Sequence, residues 1–286
     1  MAPHPVGLIA GAGRFPLEIA RSARAAGRRV VACGLRELTD PGIDAAADET
    51  LWLHLGEFEA LFGAFRSAGV EQVLMAGKVP KAFLWERPEA VKFDATALRL
   101  AGEVRDRADD SLMRAVAGAI ESQGFALLDQ VSLTPELRAP RGVLGRHTPD
   151  DAQWADIAFG WPVARALGGM DVGQSIVVQD RAVMALEAVE GTDAAIARGC
   201  ALARVSEGVG PCVLKVAKPG QDPRFDMPTI GLATIRAMIA GGARALAIEA
   251  NATVVVDRDA LVQEADAAGI VVIGLDDSSL ARRATG

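Results

Sequence analysis

The sequence predicts an α/β protein of two domains with mainly parallel sheets, and three observations support this. Short apolar segments alternate with amphipathic helical segments along most of the 286 residues, a pattern typical of parallel sheets covered by helices. The alternation is interrupted at 134–150 by a stretch rich in proline, glycine and basic residues. Half of the residues are hydrophobic, which is enough for the core of one large or two medium domains.

The N-terminal domain is predicted over residues 1–133 and is expected to be Rossmann-like. Pro16 fits the first turn of its first helix, where the missing N–H costs nothing, and Gly27 ends that helix. Its strands are expected at 5–10, 30–35, 51–55, 71–77 and 125–130, and its helices at 16–27, 57–69 and 109–123. Residues 134–150 are expected to form a linker.

The C-terminal α/β domain is predicted over residues 151–286. Thr192 or Asp193 is a natural helix N-cap, and Pro228 is placed to begin a helix. The helices are expected at 150–167, from 192, at 228–240 and at 259–268, and the strands at 175–180, 182–190, 212–218, 244–250, 253–257 and 270–275. Two such domains usually leave a cleft between them, and ligands of open α/β sheets bind beyond the carboxyl ends of the strands.

Composition excludes several classes of function. The chain has 30 Lys and Arg against 37 Asp and Glu, a net charge of −7, so it lacks the basic field of a nucleic-acid-binding protein. It has no tyrosine, and 5 % aromatic residues argue against stacking platforms for bases. Cys33, Cys200 and Cys212 are scattered, as expected of reduced, buried thiols. No stretch reaches the roughly 18 apolar residues of a spanning helix, so we expect a cytoplasmic protein or one bound peripherally to a membrane.

A glycine-rich turn of Gly11, Ala12 and Gly13 separates the first strand from the first helix. Glycines let a backbone approach a ligand closely, and a helix N-terminus presents free N–H groups to phosphate. Pro16 stands where a dinucleotide fingerprint has its third glycine, which disfavours NAD but not another phosphate-bearing ligand. Lys78, which follows the strand 71–77, is a candidate partner for that phosphate. A structural turn and an exposed loop lysine are the alternatives.

Glu190, Thr192 and Asp193 share one turn after the strand 182–190. A helix cap explains Thr192, but it does not explain two carboxylates beside a hydroxyl. Glu187 is three residues from Glu190, so the two face opposite sides of an extended strand. The turn is therefore a candidate functional site.

The densest group of charged residues lies in the loop 215–229. Its polar members are Lys215, Lys218, Gln221, Asp222, Arg224, Asp226 and Thr229, set among prolines and glycines. Carboxylates hold a hard cation through oxygen, and cations offset charge on a phosphoryl group. This pattern predicts Mg²⁺-assisted chemistry on a phosphate, with a solvated acidic turn as the alternative. Neither a P-loop nor a nucleophile elbow is present in the sequence.

Four motifs together resemble the LpxI-type UDP-2,3-diacylglucosamine pyrophosphatases of lipid A biosynthesis. They are GLIAGAGRFP (7–16), AGKVPK (76–81), GQSIVVQDRAVMALEAVEGTDAAIARG (173–199) and KVAKPGQDPRFDMPTIG (215–231). They occur in order over nearly the whole chain, and the last two are long and specific. The resemblance implies a two-domain α/β enzyme with a deep cleft between its domains.

The same resemblance implies an activity and a place of action. The activity is Mg²⁺-dependent hydrolysis of the pyrophosphate bond of UDP-2,3-diacylglucosamine, giving UMP and 2,3-diacylglucosamine 1-phosphate. The place is the cytoplasmic face of the inner membrane of a Gram-negative cell. The aspartate of the RFD motif, here Asp226, is implied to be required. The residues alone support the class of chemistry without the substrate, and a non-catalytic nucleotide-sugar-binding or lipid-binding protein is the alternative.

Candidate roles follow from these motifs, with water attacking a phosphorus atom of the diphosphate. The expected catalytic residues are Asp226, Asp222, Lys215 and Lys218, and the expected Mg²⁺ ligands are Asp226, Glu190 and Asp193. The expected substrate-binding residues are Gly11, Ala12, Gly13, Lys78, Gln179, Thr192 and Arg224. The basic stretch Arg138–Arg146 is the best candidate for contact with an anionic membrane surface. The sequence leaves a homo-oligomer open.

Overall fold

The computed structural model describes residues 4–80, 83, 87–103, 109–206 and 208–284. Contacts divide the chain into two units. Unit 1 is Met1–Pro135 together with Pro223–Phe225, and unit 2 is Glu136–Asp222 together with Asp226–Gly286. Each unit contains a sheet with helices, so the predicted fold class, two α/β domains, is confirmed.

Unit 1 contains one parallel sheet in the order β3-β2-β1-β4-β5. Its elements are β1 (Val6–Ala10), α1 (Phe15–Ala25), β2 (Val30–Leu35), α2 (Ile43–Ala46), β3 (Glu49–Leu53), α3 (Phe58–Ser67), β4 (Gln72–Ala76), α4 (Ala95–Glu103), α5 (Asp109–Ser122) and β5 (Ala126–Leu127). The order matches the first five strands of a doubly wound nucleotide-binding sheet. All six residues of β2 are buried, as expected of a strand covered on both faces.

One face of the unit 1 sheet carries an aromatic core. Phe62 and Phe65 of α3 both contact Phe125, with ring centroids 6.0 Å apart in each pair. Phe225, from the short segment of unit 1 that is distant in sequence, belongs to the same buried cluster. This core therefore takes in a side chain from the charged loop 215–229.

Unit 2 contains a six-stranded sheet in the order β6-β13-β11-β9-β7-β8, beside a two-stranded pair of β10 and β12. The strands are β6 (Gly142–Val143), β7 (Ser175–Gln179), β8 (Ala182–Leu186), β9 (Cys212–Lys215), β10 (Thr229–Ile230), β11 (Ala245–Glu249), β12 (Val254–Val255) and β13 (Val271–Leu275). The helices are α6 (Asp151–Gly169), α7 (Thr192–Leu202), α8 (Leu232–Gly241), α9 (Arg258–Ala267) and α10 (Asp277–Ala284).

The larger sheet of unit 2 is mixed rather than mainly parallel. Strands β9, β11 and β13 are parallel, whereas β7 is antiparallel to both of its neighbours and β6 is antiparallel to β13. The β7–β8 hairpin turns at Asp180 and Arg181, whose φ angles of 53° and 56° are those of a type I′ turn. The buried carboxylate of Asp156 accepts hydrogen bonds from both of their N–H groups, which fixes the turn.

Alternation along the strands gives unit 2 a core on each face of its sheet. On β9, Val213 joins the core formed with α7, α8 and α9, while Cys212 and Leu214 join the core formed with α6. Helix α6 begins with a capping box made by Asp150 and Gln153. Residues 134–150 were expected as a linker, but 134–135 belong to unit 1, and 136–150 belong to unit 2 and supply β6 to its sheet.

Two local expectations were wrong. Pro228 does not begin a helix: Thr229–Ile230 pairs with Val254–Val255 as a strand, and the helix begins at Leu232. The N-cap of α7 is Gly191, with φ 83° and no side-chain cap, rather than Thr192 or Asp193. The hydroxyl of Thr192 is therefore used elsewhere, as described below.

Candidate active site

Two of the polar residues predicted in unit 2, Lys215 and Thr192, meet at the carboxyl end of β9. Lys215 is the last residue of β9, and alternation places it on the same face as Val213, the face covered by α7. Ser175 is its partner across the antiparallel β7–β9 ladder. Lys215 is only 4 % exposed, so the register brings a charged side chain into the interior of unit 2.

Three side chains form a polar chain there, which we call the Lys215 relay: buried Lys215, half-buried Thr192 and buried Glu187. The Lys215 Nζ donates to Thr192 Oγ1 at 2.7 Å, and Thr192 Oγ1 donates to Glu187 Oε1 at 2.9 Å. The Thr192 hydroxyl also lies 3.4 Å from Ser175 Oγ. The structure therefore brings together Lys215 and Thr192, which the sequence analysis assigned to separate motifs.

The loop after β9 is held by side-chain amides and a carboxylate. Gln221 Oε1 accepts from the Lys218 N–H at 2.8 Å, and Gln221 Nε2 lies 3.0 Å from Gln174 Oε1. Glu249, at the carboxyl end of β11, accepts from the Ala217 N–H at 2.7 Å. These bonds fix the backbone that carries Lys218, whose Nζ lies 2.8 Å from Asp171 Oδ1.

Asp222 and Asp226 stand at the two ends of a tight turn. The Asp226 N–H donates to the Asp222 carbonyl at 2.9 Å. Between them, Pro223–Phe225 belongs to unit 1, where Arg224 Nη1 donates to Glu121 Oε1 at 2.6 Å. Buried Phe225 anchors this turn, and Asp226 is the first residue after the anchor.

The turn at 190–193 does not form a metal cage in this structure. Glu190 is exposed, and its Oε1 accepts from Arg198 Nη2 at 2.5 Å, which lowers the pKa of that carboxyl. Asp193 lies exposed in the first turn of α7. Within the described residues, no three His, Cys, Asp or Glu side chains are grouped to hold a metal ion.

In unit 1, the glycine-rich turn is shaped by its own neighbouring chain. The Gly11 N–H donates to Ala76 O and the Ala12 N–H to Lys78 O, so neither is free for a phosphate. A Cβ on Gly11 would lie 2.8 Å from Lys78 O, which explains the glycine without a ligand. Gly13, with φ +100° and open space beside it, stays exposed at the entrance to α1. The Lys78 side chain is also exposed.

Two further candidates are engaged in structural bonds. The buried amide of Gln179 donates to Arg204 O at 2.7 Å and accepts from Arg204 N at 2.6 Å, so contact with a substrate would require breaking both bonds. The basic stretch Arg138–Arg146 is similarly occupied. Its arginines at 138, 141 and 146 bond to Asn251 O, Asp276 and Asp266 respectively. Arg141 and Arg146 are therefore paired with carboxylates, whereas Arg138 donates to a neutral carbonyl.

Glu187 and Glu249 are two of the polar residues of this region that sequence reasoning missed as site residues. Both are carboxylates within or directly after apolar strands, a position where a charged side chain is unusual. That signal was present in the sequence. Their partners lie 5 to 84 residues away, so the contacts themselves required the fold.

The models of the N-terminal and C-terminal domains of one protein family both match this chain. The LpxI N-terminal domain matches residues 5–137, and the LpxI C-terminal domain matches residues 140–273. The chain is 36 % identical over 282 residues to the UDP-2,3-diacylglucosamine pyrophosphatase LpxI of Caulobacter vibrioides. That alignment covers 95 % of this chain and 97 % of the relative.

Similarity to solved structures is weaker. An L-threonine dehydrogenase from Phytophthora infestans is 10 % identical, and a UDP-glucose-4-epimerase from Stenotrophomonas maltophila is 14 % identical. Each match has a TM-score of 0.28 and covers 43 % of this chain, with 34 % and 35 % of the other chain. No helix among the described residues is both long enough and apolar enough to span a bilayer.

Proposed function

This chain belongs to the LpxI family, and from that premise we propose that it hydrolyses the pyrophosphate bond of UDP-2,3-diacylglucosamine in lipid A biosynthesis. The products are UMP and 2,3-diacylglucosamine 1-phosphate. One observation carries the proposal: the family models match residues 5–137 and 140–273, and the alignment with the relative covers 95 % of this chain. The two acyl chains of the substrate favour reaction at a membrane surface, and we place it at the cytoplasmic face of the inner membrane.

The chemistry assigned to the residues is electrostatic. Water attacks one phosphorus atom and gives up a proton to the solvent, the bridging P–O bond breaks, and the leaving phosphate oxygen takes the electron pair. Lys215 and Lys218 offset the negative charge that grows on the transferring group, as in other phosphoryl transfers. Asp226 orients the water, with Asp222 beside it in the same turn. Arg224, Thr192, Gln179, Lys78 and the turn at 11–13 remain proposed substrate contacts.

We propose Mg²⁺ as the cofactor, with Asp226, Glu190 and Asp193 as candidate ligands. When bound, Mg²⁺ would withdraw charge from the phosphate oxygens. Mg²⁺ is commonly held by one or two carboxylates together with substrate phosphates rather than by a protein cage. Among the described residues, the carboxylates of unit 2 are not grouped in threes, so one or two of these candidates together with substrate phosphates fit that mode. Glu190 would first have to leave Arg198.

The test is an assay of the purified full chain with UDP-2,3-diacylglucosamine, with release of UMP followed chromatographically. We expect stoichiometric UMP and 2,3-diacylglucosamine 1-phosphate, loss of turnover in excess EDTA, and recovery on adding Mg²⁺. Intact substrate retained by the protein would instead support the non-catalytic binding protein. Full turnover in EDTA would overturn the metal proposal while leaving the hydrolase proposal in place.

A further inference from the structure

Glu187 is the carboxylate end of the Lys215 relay. It is 8 % exposed and lies directly after β8, where its N–H donates to Ser175 O at 2.9 Å. Its Oε1 accepts from Thr192, and its Oε2 lies 3.4 Å from the Gln174 N–H. A Cβ added at Gly173 would lie 2.1 Å from Glu187 O, so the chain packs tightly around this residue.

The direction of the hydrogen bonds in the relay is fixed by chemistry. An ammonium group only donates, and an ionised carboxylate only accepts. The Thr192 hydroxyl therefore accepts from Lys215 and uses its single proton for Glu187. Removing the carboxylate charge weakens the acceptor, and removing the hydroxyl separates Lys215 from Glu187.

Burying a carboxylate and an ammonium is costly unless each is bonded to a partner, and apolar side chains of similar size usually stabilise a fold as well or better. The relay is therefore poorly explained by stability alone. Its ammonium end lies at the carboxyl end of a central strand, where ligands of α/β sheets bind. A phosphate there would meet a lysine that is already held in place.

We propose that Glu187 is a positioning residue that acts through Thr192 to hold the Lys215 ammonium group in place for an oxygen of the substrate diphosphate. This inference rests on the proposed function. Glu187 itself does not touch the substrate. The positioned ammonium contributes most when negative charge grows on the phosphate, so its loss lowers kcat more than it changes KM.

Four variants test the relay: Glu187→Gln, Thr192→Val, Thr192→Ser and Glu136→Gln. The first two keep side-chain shape but remove the charge or the hydroxyl, and Thr192→Ser restores a hydroxyl. Glu136 is exposed and lies about 50 residues or more from the relay residues in sequence. It serves as the matched Glu→Gln control. We expect kcat to fall about 10- to 100-fold in Glu187→Gln and in Thr192→Val. KM should change less than about threefold in Glu187→Gln, because Glu187 does not touch the substrate, and Thr192→Ser should recover most of the lost kcat.

A second measurement follows the Lys215 amine directly and needs no turnover. Reductive methylation with formaldehyde and a borohydride, read by peptide mass spectrometry, compares Lys215 with exposed Lys92 in the same molecule. We expect Lys215 to react slowly in the wild type and at least about threefold faster, relative to Lys92, in Thr192→Val and Glu187→Gln. Circular dichroism identifies any variant that fails to fold, and such a variant is replaced by Glu187→Asp.

The outcomes separate the two proposals. An active wild type with unchanged kcat in Glu187→Gln and Thr192→Val would overturn the positioning role and leave the hydrolase proposal intact. An unchanged Lys215 methylation ratio would also overturn it. An inactive wild type would overturn the hydrolase proposal and, with it, a role for Glu187 in that reaction.

Discussion

Thr192 shows how one residue serves a purpose that its sequence position does not suggest. Directly before a helix it fits an N-cap, yet Gly191 takes that position and leaves the hydroxyl to join Lys215 with Glu187. The sequence made Thr192 and Lys215 candidates separately. It could not join them, because their contact depends on the β7–β9 register and on the packing of α7.

At the same scale, Asp276 is expected to make stability depend on pH. It precedes α10 and accepts from the Ser279 N–H and from the hydroxyls of Ser278 and Ser279, and it pairs with Arg141. Hydrogen bonds from Ser279 and Ser278, and then the charge of Arg141, lower its pKa in the folded protein. A lowered folded pKa gives stability that is present above the unfolded pKa of about 3.9 and is lost as pH falls.

Asp276→Ala should therefore lower the Tm at pH 7, and the difference from the wild type should narrow below about pH 4. Thermal unfolding measured by circular dichroism between pH 3 and pH 7 checks this. A difference that stays constant or widens in acid would show that the carboxylate is not stabilised in the folded state.

At the scale of elements, the turn at 11–13 and the turn after β4 form one structure. Ala12 and Lys78 exchange backbone hydrogen bonds of 2.8 and 3.0 Å, and Gly77 makes the approach with φ +87°. A Cβ on Gly77 would lie 2.7 Å from Ala12 O. The glycines that suggested a phosphate loop are thus required first by contact between two segments of chain.

Gly77→Ala should lower the free energy of unfolding by about 1–3 kcal/mol, because it adds a backbone clash to a left-handed conformation. Gly118→Ala is the matched control, since Gly118 is exposed inside α5 with open space at its Cβ. That variant should gain about 0.5–1 kcal/mol. Urea unfolding measures the free energy of unfolding of both variants. Equal changes in the two would mean that the contact between the two turns does not contribute to stability.

Most helices and strands could be predicted because their apolar periodicity is strong, as in the fully buried β2 and the amphipathic α1. Other features had weak local signals. Helix α2 has four residues and strand β10 has two, too few to establish a period. The Asp180–Arg181 turn lacks the glycine that usually marks a hairpin, so the antiparallel β7–β8 pair was not anticipated.

At the scale of the whole molecule, the chain returns to unit 1 for three residues in the middle of the charged loop. Phe225 packs into the aromatic core of unit 1 although the rest of that unit ends at Pro135. The loop that carries Asp222 and Asp226 is therefore anchored by a buried side chain. The sequence pattern did not predict that Phe225 is buried, because a single phenylalanine between charged residues does not define a hydrophobic period.

Phe225→Ala should destabilise unit 1 by about 3–5 kcal/mol, the usual cost of truncating a buried phenylalanine. Phe93→Ala is the control, since Phe93 is 56 % exposed and its loss should change stability by less than about 0.5 kcal/mol. Denaturant unfolding followed by circular dichroism compares the two. Equal stabilities for both variants would contradict the assignment of Phe225 to that core.

Asp226 joins the anchored turn to the proposed hydrolysis, so its replacement tests that proposal most directly. The direct measurement is the steady-state rate of UMP release by Asp226→Asn, with the exposed Asp259→Asn as the matched control. We predict a fall in kcat of at least about 100-fold, or ~2.7 kcal/mol of barrier, for Asp226→Asn and no change for Asp259→Asn. A rate for Asp226→Asn within about threefold of the wild type, under ~1 kcal/mol, would contradict the account.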